Sequence, residues 1–185
     1  GEPVALATGD FNRDGNPDIA IADVENDAII IFLTERDRFA AFDCEAAVTS
    51  STIPVGEAPQ AIAVGNLDSD TILDLAIATL DGVEILIGDG EGGFDEAIAA
   101  DAGDNPASIA IGDVDGDGRA DVVVGNGSGG SLTILYGDEF DELESGFLFV
   151  DGPATSVLVQ DLDDDSFEVV TSRVGLISFP DQERA

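Results

Sequence analysis

Histidine, lysine, methionine and tryptophan are absent from this 185-residue chain, and cysteine and tyrosine occur once each. Without histidine there is no Ser-His-Asp triad, and without lysine no Schiff base or lysine general base. One cysteine and no histidine argue against zinc. Cys44, being single, excludes an internal disulfide; it reads as a small buried apolar side chain, a free thiol or an intermolecular bridge. The basic residues are six arginines against 40 acidic residues, a formal net charge of -34. Phosphate recognition needs a positive surface, so nucleic acid is a poor partner and an anionic membrane would repel the chain. No apolar run reaches membrane-spanning length and no signal peptide is visible. The Gly1 start reads as a processed chain or an excised fragment. Acidity alone would suggest disorder, but 44% hydrophobic residues supply enough apolar surface for one folded domain. The missing lysine also fits a salty or calcium-rich habitat.

What the chain does have is one acidic loop, four times over. The third copy is Asp113-Val-Asp115-Gly-Asp117-Gly118-Arg119-Ala-Asp121. The others are Asp10-Phe-Asn12-Arg-Asp14-Gly15-Asn16-Pro-Asp18, Asn66-Leu-Asp68-Ser-Asp70-Thr71-Ile72-Leu-Asp74 and Asp161-Leu-Asp163-Asp-Asp165-Ser166-Phe-Glu168. Oxygen donors at alternate positions, then a tight turn and a last carboxylate, suit a hard cation that takes six to eight oxygens. Gly15 and Gly118 occupy the turn, where positive φ costs glycine nothing. Thr71 and Ser166 replace them in loops two and four, and a β-branched Thr71 is strained there if φ is positive. Loop four is also one residue shorter before Glu168. Expected occupancy therefore runs loop three, one, two, four.

The loops recur in phase with a larger unit. Pro59, Pro106 and Pro153 open successive units 47 residues apart, and Pro3 opens a longer first one. Repeats thus span about 3–58, 59–105, 106–152 and 153–185, with Gly56, Gly103 and Gly152 as turns before the prolines. Each begins with a short apolar strand, at 5–8, 61–64, 108–111 and 156–159. The loop follows, then strands at 19–22, 75–79, 122–124 and 169–171, and third strands at 28–33, 83–87, 132–136 and 176–179. A weaker fourth strand is expected at 46–49, 96–100 and 147–150. The fold class predicted is all-β: a β-propeller of about four four-stranded antiparallel blades, the last incomplete. Small residues such as Ala5, Ala7, Ala61 and Ala63 suit the crowded centre, and larger residues in the middle strands would fill the space between blades. The count leaves three outcomes: a small four-bladed ring, part of a larger propeller, or a ring or filament completed by other copies.

At the Gly112-Asp113-x-Asp115-x-Asp117-Gly118-x-x-Asp121 frame and its three relatives, the chain resembles the FG-GAP/VCBS repeat family, which includes the β-propeller of integrin α subunits. The resemblance covers essentially the whole chain and implies calcium held between the first two strands of each blade. It implies side-chain ligands at loop positions one, three, five and nine and a backbone carbonyl at seven. On this chain those are Asp10, Asn12, Asp14 and Asp18 with the Asn16 carbonyl, and Asn66, Asp68, Asp70 and Asp74 with the Ile72 carbonyl. Loop three offers Asp113, Asp115, Asp117 and Asp121 with the Arg119 carbonyl, and loop four offers Asp161, Asp163, Asp165 and Glu168. Up to four Ca2+ ions are implied. The relatives are mostly extracellular and serve adhesion, ligand recognition or carbohydrate binding. Integrin-like propellers have seven blades, a departure from the four repeats here.

These residues admit three functions. The first is an extracellular or cell-surface calcium-binding module for a protein or carbohydrate ligand, with Tyr136, Phe140, Phe147 and Phe149 as residues able to stack on a sugar or pack between blades. The second is a self-assembling homo-oligomer or filament completed through its open edge, with Cys44 as a crosslink. The third is a polysaccharide-active enzyme, a two-carboxylate glycosidase or a lyase using Arg13, Arg119 or Arg173. Among 40 carboxylates some pair always has glycosidase spacing, so the enzyme reading has no specific support. An EF-hand is excluded, because the flanks are strands and position twelve is Ile21, Ile77 or Val124 rather than Glu.

Overall fold

Branched and small apolar residues, interrupted every few positions by the acidic turns, give short strands that pair with their sequence neighbours. The computed structural model describes residues 1–34, 49–68, 70–95, 97–128, 130–137, 145–149, 153–161, 167–171 and 175–178. Strands β1 (Pro3–Gly9), β2 (Asp18–Asp23), β3 (Ala28–Leu33) and β4 (Thr49–Pro54) make the first sheet. The second holds β5 (Ala61–Gly65), β6 (Asp74–Ala78), β7 (Val83–Leu86) and β8 (Ile98–Ala100). The third holds β9 (Pro106–Gly112), β10 (Asp121–Asn126), β11 (Ser131–Leu135) and β12 (Ser145–Phe149). The fourth holds β13 (Val157–Asp161), β14 (Phe167–Thr171) and β15 (Gly175–Ser178). Every pairing is antiparallel and between consecutive strands, so each sheet is a meander. All the described elements are strands, and no helix is long and apolar enough to cross a membrane.

The sheets lie face to face in chain order. Inner strands β1, β5, β9 and β13 neighbour one another successively, a β-propeller-like arrangement. One core cluster joins the first sheet's Ala20, Ala22, Ile29 and Ile31 to the second sheet's Leu75, Ile77 and Leu86. The next joins Ala76, Ala78, Val83 and Ile85 to Ile109, Val122, Val124 and Leu135. A third joins Val123, Leu132 and Ile134 to Val157 and Val159 of the fourth sheet. The Ile, Leu and Val side chains of the middle strands fill the space between neighbours as expected. Small Ala20, Ala22, Ala76 and Ala78 and inner-strand Ile109, Val157 and Val159 share it, and Tyr136 packs there too. Phe147 and Phe149 lie in β12, while Phe140, Cys44 and Gly152 fall outside the described residues.

The fourth strand of the first unit is a correction. It was expected at 46–49 and runs from Thr49 to Pro54, paired with β3 from Ala28↔Pro54 to Leu33↔Thr49. Its side chains are almost all exposed Thr and Ser, so backbone pairing alone defines it and no apolar pattern marks it.

A recurring glycine ends each of the first three inner strands, close against a side chain of the next sheet. A Cβ on Gly65 would stand 2.7 Å from Ile111 Cγ2, and one on Gly112 2.5 Å from Val159 Cγ1. A Cβ on Gly9 would stand 3.2 Å from Val64 Cγ1 and 2.8 Å from Leu73 Cδ1. Each glycine therefore takes the corresponding branched side chain of the next sheet directly against its backbone. Gly65→Ala should force the stiff Ile111 to shift and destabilise the protein by about 1–3 kcal/mol, the range for overpacking. For a chain of this size that lowers the melting temperature by roughly 2–10 °C. An unchanged melt would mean the spacing does not depend on that glycine.

Candidate metal centre

Because the inner strands run side by side, loops one to three (residues 10–18, 66–74 and 113–121), which join first to second strands, gather along one rim. Each loop divides its side chains between three duties. Position two is apolar and buried: Phe11, Leu67 and Val114 are at most 2% exposed and plug the core beneath the loop. Phe11 also meets Phe94 edge-to-face, with ring centroids 5.6 Å apart. Positions one, three and five lie at or near the surface, though in loop two the Asn66 Oδ1 is itself covered. Position nine turns inward.

At the surface the loops curl by side chain to backbone bonds. In loop three the Asp113 carboxylate accepts the N–H groups of Gly116 (2.8 Å), Asp117 (3.1 Å) and Gly118 (2.7 Å). In loop one Asp10 accepts those of Asp14 (3.0 Å) and Gly15 (2.9 Å). Position five bonds position seven in all three loops: Asn16 N–H to Asp14 (2.8 Å), Ile72 N–H to Asp70 (2.7 Å) and Arg119 N–H to Asp117 (2.8 Å). These contacts bring Asp113, Asp115 and Asp117 together, each offering an oxygen within 4.8 Å of the others. The Arg119 guanidinium pairs with Asp117, with Nη2 2.6 Å and Nε 2.8 Å from its Oδ2. Burial pushes the Asp117 carboxyl up, but the Arg119 backbone N–H and guanidinium together leave it lower than usual.

Asp18, Asp74 and Asp121 do something else as well. All three are essentially inaccessible. One oxygen accepts the N–H of the apolar plug: Phe11 at 2.9 Å, Leu67 at 2.6 Å, Val114 at 2.7 Å. The other accepts an N–H just beyond the third strand: Thr34 at 2.7 Å, Gly88 at 2.9 Å, Gly137 at 3.0 Å. The carboxylate is thus a clamp tying the loop to the sheet. Burial raises Asp74 despite these two bonds, and pushes Asp121 up to about 6, with Asp115 and Asp113 adding repulsion. Each oxygen keeps a second lone pair, so the clamp leaves room for coordination.

Residues 66–124 match the family model of the FG-GAP-like repeat. Over that stretch the chain is similar to an FG-GAP-like repeat. That match holds loops two and three whole. No curated protein matches the sequence. Among solved structures, BBS1N in complex with ARL6DN, soaked with lead, aligns over 100% of this chain at 14% identity with a TM-score of 0.66. The chain spans 57% of that protein, little more than half its length, and the likeness is one of fold. A functionally unknown protein from Desulfotomaculum acetoxidans aligns over 91% of this chain and 62% of its own, at 11% identity and TM-score 0.44. The V. cholerae biofilm matrix protein Bap1 aligns over 95% and 30%, at 20% identity and TM-score 0.41.

The donors of the FG-GAP-like repeat fit a hard cation. Loop three supplies oxygen only, and in loop two the Asn66 Oδ1 is buried without a hydrogen-bond partner. Asn66 and Asp113, with Gly118, Arg119 and Ala120, line a shallow cleft of about 350 Å3 between the two loops. A neutral acceptor held dry and unpaired is costly unless something positive meets it. In loop two burial also raises Asp68, and the Asp70 and Asp74 charges add to it. Loop four lies mostly outside the described residues: Asp161 ends β13 and Glu168 lies in β14, while Asp163 and Asp165 are among residues not described.

The turn at position six takes the left-handed backbone in all three described loops, with φ of 86° at Gly15, 90° at Gly118 and 82° at Thr71. A β-branched residue there costs about 1–2 kcal/mol in strain. Glycine has a more flexible unfolded state, which takes back part of that. Thr71→Gly should therefore stabilise the protein by about 1 kcal/mol in urea unfolding. A loss instead would mean that the threonine hydroxyl or methyl contributes more than the strain removes.

Proposed function

We propose that this chain is a calcium-binding β-propeller module that works outside the cell, in adhesion or in recognition of a protein or carbohydrate ligand. The observation that carries this reading is the convergence of Asp113, Asp115 and Asp117 within the FG-GAP-like repeat. In it each of the four sheets is a blade, the fourth having three strands among the described residues. Calcium sits at loops three and one first, held by Asp113, Asp115, Asp117, Asp121 and the Arg119 carbonyl, and by Asp10, Asn12, Asp14, Asp18 and the Asn16 carbonyl. It neutralises the clustered carboxylates and fixes the first two strands of each blade, so binding free energy becomes folding free energy. The role is not catalytic, in keeping with a chain that has neither histidine nor lysine. The net charge of -34 speaks for a partner that is neither nucleic acid nor a lipid bilayer.

Calorimetric titration of chelator-treated protein is the test. Calcium should bind in the range of about 0.1–1 mM typical of extracellular modules, and magnesium more weakly. Asp115→Asn with Asp117→Asn should remove one site while leaving loop one. No calcium heat at millimolar concentration would sink the metal reading. Failure to retain any ligand on glycan and matrix-protein arrays, with calcium bound, would sink the recognition reading alone.

A further inference from the structure

Position seven of the acidic loop carries a different side chain in each of the three described copies: Asn16, Ile72 and Arg119. Its backbone N–H does the same thing in all three, meeting the position-five carboxylate at 2.7–2.8 Å. The side chains diverge. Asn16 Nδ2 donates at 2.8 Å to the same Asp14 oxygen that its backbone holds, so both donors meet one oxygen. Ile72 has no polar atom to offer. Arg119 instead takes the second oxygen of its partner: Nη2 and Nε lie 2.6 and 2.8 Å from Asp117 Oδ2, while Oδ1 holds the backbone N–H. Asp117 is one of the three carboxylates that converge in this loop. A full positive charge therefore stands against the loop that has four carboxylates at ligand positions, where loops one and two have three each. Loop one has an arginine too, but it runs elsewhere. Arg13 Cδ lies 3.1 Å from where a Cβ on Gly90 would stand, in the turn between β7 and β8.

We propose that the Arg119 side chain is a tethered counter-cation for loop three, and that calcium enters this loop only by displacing it from Asp117. The proposal rests on calcium binding at these loops and adds the residue that sets the strength of one site. A guanidinium 2.6 Å from Asp117 Oδ2 covers that oxygen and repels a divalent ion at coordination distance. Displacement is feasible because the Arg119 side chain is 43% accessible, exposed ion pairs are weak, and the charge can swing out into water. The loop with four carboxylates thus stays charge-compensated without metal. It fills at a higher calcium concentration than its ligand count implies. The Arg119 carbonyl belongs to the backbone and stays in place when the side chain is changed, so its role as a ligand and that of the guanidinium separate by substitution.

Tyr136 makes this loop separately readable. It is the only tyrosine in a chain without tryptophan, and it packs with the Val114 plug, next to Gly137, whose N–H the Asp121 clamp holds. Terbium, a hard trivalent substitute for calcium, emits when an excited tyrosine lies close by. Titrating terbium into metal-free protein and then displacing it with calcium gives both affinities at loop three. Arg119→Gln removes the charge at an exposed position, and circular dichroism should show it folded. Its calcium Kd at loop three should be about three- to tenfold lower than that of wild type at low salt. The ratio should approach one in about 1 M salt, where screening acts over about 3 Å. Equal constants for the two proteins would overturn the proposal and leave calcium binding in place. A gain that salt does not reduce would also overturn it, since the cause would then be structural rather than the charge. No terbium emission together with no calcium heat would remove the calcium reading and this proposal with it.

Discussion

Replacing Asp74 with alanine should cost about 3–5 kcal/mol of stability, the largest loss expected from any single loop residue. The reason is geometric rather than ionic. Asp74 is wholly buried and holds two backbone groups, Leu67 N–H at 2.6 Å and Gly88 N–H at 2.9 Å. Removing it leaves both donors without an acceptor, at about 1–3 kcal/mol each, and opens space under the Leu67 plug. One effect works the other way. Burial already raises the Asp74 carboxyl, so the native state bears a cost for keeping it ionised, and deleting the charge relieves that. Asp74→Asn separates the two. It keeps the shape and one acceptor and removes the charge, so its loss should be about half that of alanine. Urea unfolding of both variants without divalent metal gives the comparison. A loss below 1 kcal/mol for alanine would mean that Leu67 and Gly88 find other acceptors, and that the clamp is dispensable.

How much of this was legible beforehand differs by kind of feature. The strands were readable because Ile, Val and Ala runs alternate with acidic turns in phase, and twelve short segments inherit their boundaries from that contrast. β4 was not, because Thr49 to Thr52 are polar and exposed and only pairing with β3 makes them a strand. Spacing likewise placed Asp113, Asp115 and Asp117 in one turn, since alternate residues of a tight loop share a side. It could not tell that Asp18, Asp74 and Asp121 point inward, because direction depends on the plug one sheet layer below. A signal for that plug was present: Phe11, Leu67 and Val114 are the apolar residues held at position two of otherwise acidic loops. The packing duty of Gly9, Gly65 and Gly112 was hidden for another reason. Glycine before an acidic loop reads as part of a turn, whereas its neighbour here comes from the next repeat, at Val64, Ile111 or Val159.

The second large effect concerns metal removal and depends on pH in a way that distinguishes it from ordinary acid unfolding. In metal-free protein Asp121 is pushed up to about 6 by burial, then by the Asp115 and Asp113 charges, and burial raises Asp74 as well. Unfolded, such carboxyls titrate near 3.9. Between roughly pH 4 and 6 the folded state therefore binds more protons than the unfolded one, so stability falls as pH rises through that window. Asp121 alone accounts for up to about 3 kcal/mol of this difference. Calcium reverses the sign, because it binds the ionised carboxylates and is displaced as they protonate. At pH 7.5, two sites filled to a hundredfold excess over Kd contribute roughly 5 kcal/mol, so chelation should lower the melting temperature by about 10 °C or more. At pH 5 the gap should shrink to a few degrees, with the metal-free protein melting higher there than at pH 7.5. Melting curves with calcium and with chelator across this range are the measurement. Parallel curves, equally separated at both pH values, would place the stabilising ion away from these carboxylates.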